Sequence, residues 1–223
     1  RLGLASAGDN GLMIVGATPW SCAFGTALRR LGIDVLIVDG AYARLKQARM
    51  DGTPVYHGEI LSDHAEHTLE AQHLGHLLCA TENEFYNALV CKAQGRHFGH
   101  HRTFQLATDV PQGKAPKTLQ LQQRGFFAFD PAATADMLSH SLAQGWTVQA
   151  SKITRSHGWA EMVARLGEPG QEWLLLGGVS PTGAFRLYSK EQKFRLDAGW
   201  TALCFAPAKV VDRADTAASP HTG

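Results

Sequence analysis

The sequence predicts an α/β chain: a doubly wound parallel sheet followed by a second, smaller α+β or mostly β domain. Three observations carry that prediction. Residues 12–39 read strand, tight turn, helix and strand, and end on an acidic residue. The β-α alternation then continues for about a hundred residues, a usual domain size. Beyond a polar stretch with two prolines, short apolar runs alternate with turn signals.

Leu12 to Val15 is an apolar run of the kind buried in a parallel sheet, and Gly16 frees the backbone to turn sharply out of it. From Pro19 onward, Trp20, Ala23, Phe24, Ala27, Leu28 and Leu31 recur at helical spacing, with Pro19 suited to a first helical position and Gly32 to the stop. The unpaired amides at the start of that helix favour a phosphate. The second strand, Val35 to Val38, leads to Asp39 roughly 20 residues after the turn, where a carboxylate accepts from ribose hydroxyls and disfavours a ribose 2'-phosphate. This unit is half of a Rossmann-like dinucleotide-binding fold. Its fingerprint is degenerate, since Gly16-Ala17-Thr18-Pro19-Trp20-Ser21 keeps only the first glycine of G-x-G-x-x-G. Thr18 stands where a pyrophosphate needs close backbone approach, so a rearranged phosphate contact is expected, with the Thr18 hydroxyl as its candidate.

A helix is predicted over Ala41 to Met50, a third strand over Pro54 to His57, and a helix capped by Ser62 over Ser62 to Ala71. His76 to Ala80 is the fourth strand, Thr81-Glu82-Asn83-Glu84 caps the next helix, and Arg102 to Leu106 is the fifth strand. Residues 109–125 read as a linker. A strand at Gly125 to Phe129, a helix opened by Asp130-Pro131 and closed by Gly145, and a strand at Thr147 to Ile153 follow. Short strands are expected at Glu172 to Leu176, Phe185 to Tyr188, Lys193 to Leu196 and Thr201 to Phe205. The expected division is a tail over 1–9, a nucleotide-binding domain over 10–108, a second domain over 126–207 and a disordered tail over 208–223.

A net charge of +1, with 21 cationic and 20 acidic side chains scattered along the chain, gives no basic field for nucleic acid. The four cysteines are far apart in apolar contexts and read as reduced core thiols, which suits a cytoplasm. No apolar run approaches the roughly 18 residues that span a bilayer, so a soluble chain is expected. It begins at Arg1 rather than Met, which suggests an excised piece of something longer. Eleven histidines invite a metal, but pairs such as His64 with His67 and His97 with His100 lack convergent partners, and a solvated polar face is the simpler reading.

Taken together, the Gly16 turn, Asp39, Gly58-Glu59 and Ala80-Thr81-Glu82-Asn83-Glu84-x-x-Asn87 make residues 10–107 resemble the TrkA-N or RCK domain. That is the cytosolic regulator of potassium channels and cation transporters. The form attached behind the membrane domain of bacterial cation/proton antiporters is the most similar. The resemblance implies binding of an adenine nucleotide, NAD(H) or AMP, ADP or ATP, without catalysis. It also implies a homodimer whose geometry works on a membrane-embedded transporter domain at the cytoplasmic face of the inner membrane. Carried over by position, Gly16, Ala17 and Thr18 would face phosphates and Asp39 the ribose. Glu59 and Ile60 would line the adenine side, with Thr81, Asn83 and Asn87 across the cleft. Trp20, Ser21, Gly58 and Ala80 belong to the same implied cofactor-binding set. Two missing glycines weigh more against a dinucleotide than against a mononucleotide.

Two other readings stand beside this one. Tyr42 and Lys46 have the Tyr-x-x-x-Lys spacing of nicotinamide-dependent dehydrogenases and epimerases, although they follow the ribose strand rather than the nicotinamide end. The sheet could equally be a dimerisation module whose cleft is inert.

Overall fold

In the parallel sheet the central strands bury both faces, and the register shows how. The computed structural model describes residues 10–68, 73–108, 119–156, 158–167 and 172–208. Strands β1 (Gly11–Val15), β2 (Val35–Asp39), β3 (Val55–His57), β4 (Leu74–Cys79), β5 (Thr103–Gln105) and β6 (Phe126–Phe127) form one sheet in the order β3-β2-β1-β4-β5-β6, and every pairing is parallel. This is the Rossmann-like order, with the chain reversing direction of travel between β1 and β4. Period-two alternation sends Leu12 and Ile14 of β1 into one core and Met13 and Val15 into another. Helix α1 (Pro19–Arg30) covers the first face with Phe24 and Leu28, aided by Leu45 and Ala48 beside the short α2 (Lys46–Met50). Helix α3 (Asp63–Thr68) follows β3, with the Ser62 hydroxyl accepting from the Ala65 amide at 3.1 Å. On the second face, α4 (Glu84–Phe98) inserts Val90, Cys91 and Phe98.

The second sheet is antiparallel. Its strands β7 (Trp146–Lys152), β8 (Leu174–Val179), β9 (Phe185–Leu187) and β10 (Thr201–Pro207) lie in the order β7-β10-β8-β9. Helix α5 (Ala135–Ala143) precedes β7, and α6 (Trp159–Leu166) connects β7 to β8. Again the residues alternate. Leu174, Leu176, Leu203 and Phe205 join Leu12, Phe24 and Phe104 in the first core, while Leu175, Ala202 and Cys204 face Trp173 and Met162. One apolar layer therefore fills the space between the two sheets, and each fully buried Leu or Phe in it contributes about 1.5 to 3 kcal/mol.

Several elements differ from the sequence reading. The stretch predicted as a helix from Ala41 is a turn over 42–45, and only Lys46–Met50 is helical. Residues 193–196 form no strand. Helix α5 opens at Ala135 under a Thr134 cap, because Asp130 spends its carboxylate on the Ala132 amide in the turn before it. Helix α6, eight residues long, was not anticipated. Phe126 and Phe127, expected to begin the second unit, pair with Phe104 and Gln105 as the sixth parallel strand. What holds them there is Arg124: its guanidinium lies 3.7 Å from the centre of the Phe127 ring and grips Glu191 from the far side.

His76 of β4 sits at the joint between the sheets, its ring meeting Phe185 of β9 edge-on at 5.3 Å. Burial, with the Arg102 charge nearby, pushes its pKa from 6.5 down to about 4. Between those values the unfolded chain takes up a proton that the folded chain refuses, so stability falls as pH drops from 6.5 to about 4. At about 1.4 kcal/mol per pKa unit the total is about 3 kcal/mol. His76→Leu is expected to remove this slope, read as a difference in unfolding midpoint between the two proteins that changes with acidification.

Candidate functional site

The carboxyl ends of β1, β2, β3 and β4 converge where the strand order reverses, and four loops meet there. Gly16 leaves β1 with φ +109°, and a Cβ on it would lie 3.0 Å from the Ala80 carbonyl carbon and from Thr81 Cγ2. Only glycine fits, which explains why this one glycine of the fingerprint is present. Asp39, at the end of β2, is buried. Its Oδ2 accepts from the Ala17 amide at 2.8 Å and its Oδ1 from the Ala41 amide at 2.7 Å. One carboxylate thus ties the β1–α1 turn to the turn after β2. An ionised carboxylate offers about four lone-pair sites, so acceptor capacity remains for hydroxyl groups.

The β1–α1 turn is folded around Ser21. Its hydroxyl donates to the Gly16 carbonyl at 2.8 Å and accepts from the Thr18 amide at 2.7 Å, while the Ser21 amide donates to Thr18 Oγ1 at 3.0 Å. This is a capping box at the start of α1. The consequence for anions is direct. The amides of Gly16, Ala17, Thr18, Ser21 and Cys22 all donate within the chain, and Pro19 has none to give.

The remaining implied positions divide by what they touch. Thr81 and Asn87 hold each other: Asn87 Oδ1 accepts from Thr81 Oγ1 at 2.6 Å, and Asn87 Nδ2 donates to the Thr81 carbonyl at 2.8 Å. Asn83 Oδ1 accepts from the Tyr86 amide at 3.0 Å as the cap of α4. Gly58 donates its amide to the Asp39 carbonyl at 3.1 Å, which places the β3 loop against the β2 end. Glu59 is exposed and receives the Tyr86 hydroxyl at 2.6 Å, so burial and this partner together push the Tyr86 phenol up. Ile60 and Ala80 are buried apolar supports of the loops.

Trp20 and Ser21 call for a correction. Trp20 is 1% exposed and lies in the core between the sheets, stacked on Phe24 at 5.1 Å and edge-on to Phe129 and Phe205. A residue at the second position of α1 points inward because the helix rests on the sheet there. Ser21 is fully buried inside its own turn, and Asn87 is fully buried inside the β4–α4 loop, so both shape the cleft from behind its wall.

The structure adds residues that the motif alone missed. Arg44, 65% exposed, brings Nη1 to 4.0 Å from Asp39 Oδ2. Tyr42 stands beside it, 59% exposed, edge-on to His57 and under the Arg49 guanidinium at 4.8 Å. The signal for these was proximity in sequence to Asp39, three and five residues on, which a turn rather than a helix brings back over the strand end.

Chemically, the arrangement can hold a polyhydroxyl group and a modest negative charge. The Tyr-x-x-x-Lys pair does not share a helix, since Tyr42 lies in the turn and Lys46 opens α2. The four thiols are buried, and burial raises those of Cys22, Cys79 and Cys204, the last to about 12, which keeps them protonated. Among the described residues no group of three His, Cys, Asp or Glu could hold a metal ion, and no helix is long and apolar enough to cross a membrane.

Comparison with known proteins bears on the same segment. Residues 12–115 match the model of the TrkA-N domain family. Among solved structures, the NAD(P)-binding domain of an exopolyphosphatase-related protein from Archaeoglobus fulgidus is 12% identical, with 60% of this chain and 96% of that chain covered and a TM-score of 0.42. A GsuK channel bound to NAD is 13% identical over 93% of this chain and 38% of that one, with a TM-score of 0.44. A GsuK RCK domain is 15% identical over 93% and 46%, also at 0.44. The chain thus spans less than half the length of those two GsuK chains. No curated protein matches it. Residues 12–115 of this chain are a TrkA-N domain.

Proposed function

We propose that residues 10–108 bind an adenine nucleotide and act as a sensor rather than a catalyst, with residues 126–207 as the regulatory unit that responds. The observation that carries the reading is Asp39: a buried carboxylate at the end of β2, at the switch point of the sheet, held by the Ala17 and Ala41 amides with acceptor capacity to spare. The ribose would sit on Asp39, and the adenine would lie toward Gly58, Glu59 and Tyr42. Because the turn amides already donate within the chain, a pyrophosphate would have to displace internal bonds. AMP, with a single phosphate, is therefore favoured over NAD(H) and over ADP and ATP, with Arg44 as the cation that meets the phosphate. The larger setting is the cytosolic region of a potassium or sodium/proton transporter of antiporter type, acting as a homodimer at the cytoplasmic face of the inner membrane. Regulation would be linkage: the nucleotide shifts the assembly only by its differential affinity for two arrangements.

Calorimetric titration with AMP, ADP, ATP, NAD and NADH tests this. The expected result is binding of at least one mononucleotide, weakened about tenfold or more by Asp39→Asn, as fits loss of a hydrogen bond to a charged group. Thermal unfolding of the variant checks that the turns stay in place. Flat heats from all five would leave an inert module. NADH turnover with a carbonyl substrate would make the chain an oxidoreductase.

A further inference from the structure

Helix α2 and the end of α1 lie side by side on the first face of the parallel sheet. Leu45 and Ala48 are buried in the core beneath them, while Lys46, Arg49 and Met50 stay exposed. Arg29 and Arg30 close α1, and Arg29 Nη1 donates to the Gly52 carbonyl just past α2 at 2.6 Å. The Arg49 guanidinium lies over the Tyr42 ring, which ties α2 to the turn before it. Cations separated in sequence by the whole of β2 are thereby gathered on one surface around Met50, which is 71% exposed. Among the described residues no ion pair engages Arg29, Arg30, Lys46 or Arg49. Two exposed acids, Asp34 and Asp51, belong to the same segment, and Asp51 already accepts from Gln47 Nε2 at 2.9 Å.

We propose that this surface docks the chain on an anionic bilayer, with Arg29, Arg30, Lys46 and Arg49 among the lipid phosphates and Met50 entering the headgroup layer. Clustered cations alone suit any polyanion, and Met50 selects among them. An apolar thioether gains nothing against the phosphate backbone of a nucleic acid, which is held by cations. At a bilayer surface the same side chain leaves water for the acyl boundary while the cations around it meet phosphates. Each Lys or Arg near an anionic leaflet strengthens attachment about fivefold, so four together give a firm but salt-sensitive hold. The proposal takes from the functional reading only the placement at a membrane face, and it names the side of the domain that is turned to the lipid. It is independent of the nucleotide.

Co-sedimentation of the 223-residue chain with lipid vesicles, nucleotide omitted, tests it. Binding is expected to vesicles of phosphatidylcholine mixed with phosphatidylglycerol and not to phosphatidylcholine alone. It should fall about tenfold or more as salt rises from about 0.05 to 0.5 M. Arg30→Glu combined with Lys46→Glu should weaken it about twenty-fivefold or more, and Met50→Ser roughly threefold. Lys193→Glu with Arg195→Glu makes the same change of charge at the other end of the sheet, where Gln192 Nε2 donates to the His101 carbonyl just ahead of β5. That pair should leave attachment within about twofold of the wild type. Thermal midpoints and AMP titrations of the Arg30 and Lys46 double variant should match the wild type. Absence of binding to the anionic vesicles, equal losses from the two charge-reversal pairs, or preference for a duplex oligonucleotide over the vesicles overturns this surface. Each of those outcomes leaves the nucleotide reading standing, since Asp39→Asn tests that reading by calorimetry without lipid.

Discussion

Glu191→Ala is expected to cost about 2 to 3 kcal/mol of folding stability, below the range for a fully buried ion pair because the Glu191 side chain is 25% exposed. The reason is what it abandons. Glu191 receives Arg124 Nη1 at 2.9 Å and Nη2 at 2.6 Å, and also the Phe127 amide at 2.7 Å. With the carboxylate gone, a guanidinium 8% exposed and a strand amide both lose their acceptor. Burial alone would raise the Glu191 carboxyl, but Arg124 and the Phe127 amide outweigh it and hold it below its ordinary value. Such a group contributes stability at neutral pH that is lost as pH falls through its folded-state titration. Urea unfolding midpoints should therefore separate wild type and variant most at neutral pH and least in acid. Arg124→Met combined with Glu191→Leu should recover most of the loss, because it leaves no charge behind.

Trp20→Ala is the second large effect, expected at about 3 to 5 kcal/mol by loss of a fully buried indole and the cavity it leaves. Trp20 touches Phe24 of its own helix, Phe129 after β6 and Phe205 of β10, so a single truncation loosens both sheets. Trp20→Phe should cost far less, since the indole Nε1 has no hydrogen-bond partner to lose and an aromatic ring still fills the space. Nucleotide titration of Trp20→Phe is also expected to match the wild type, because the side chain faces away from the cleft. An affinity change of about tenfold, about 1.4 kcal/mol, would return Trp20 to the binding residues.

Strands β1, β2 and β4 and helix α1 were legible because each is long enough to declare a period and is bounded by strong punctuation: Gly16, Pro19, Gly32 and the Asn83 cap. Asp39 was legible for the same reason, since a βαβ unit fixes where its second strand ends. The failures have a common cause in tertiary contact. Phe126 and Phe127 become a sixth strand only because Arg124 and Glu191 meet across 67 residues of sequence. Residues 193–196 alternate like a strand, yet Leu196 simply fills the third core from a loop. Trp20 and Ser21 were assigned by their place in a glycine motif, whereas the direction of a side chain on α1 depends on which face the helix lays on the sheet. Arg44 was passed over because a charged residue in a predicted helix reads as solvated, and the turn that aims it at Asp39 has no period to detect.

Asn10, just ahead of β1, gives its side-chain amide to the Gly183 carbonyl at 2.5 Å and takes the Phe185 amide at 2.6 Å. The opening of the chain is thereby clasped by residues made some 175 positions later. During synthesis the first sheet must wait, with the flank formed by Leu12, Ile14, Phe24 and Phe104 uncovered, until β8 to β10 arrive to seal it. Expression of residues 12–115 alone should for that reason yield aggregated material, and the full chain should unfold in a single transition.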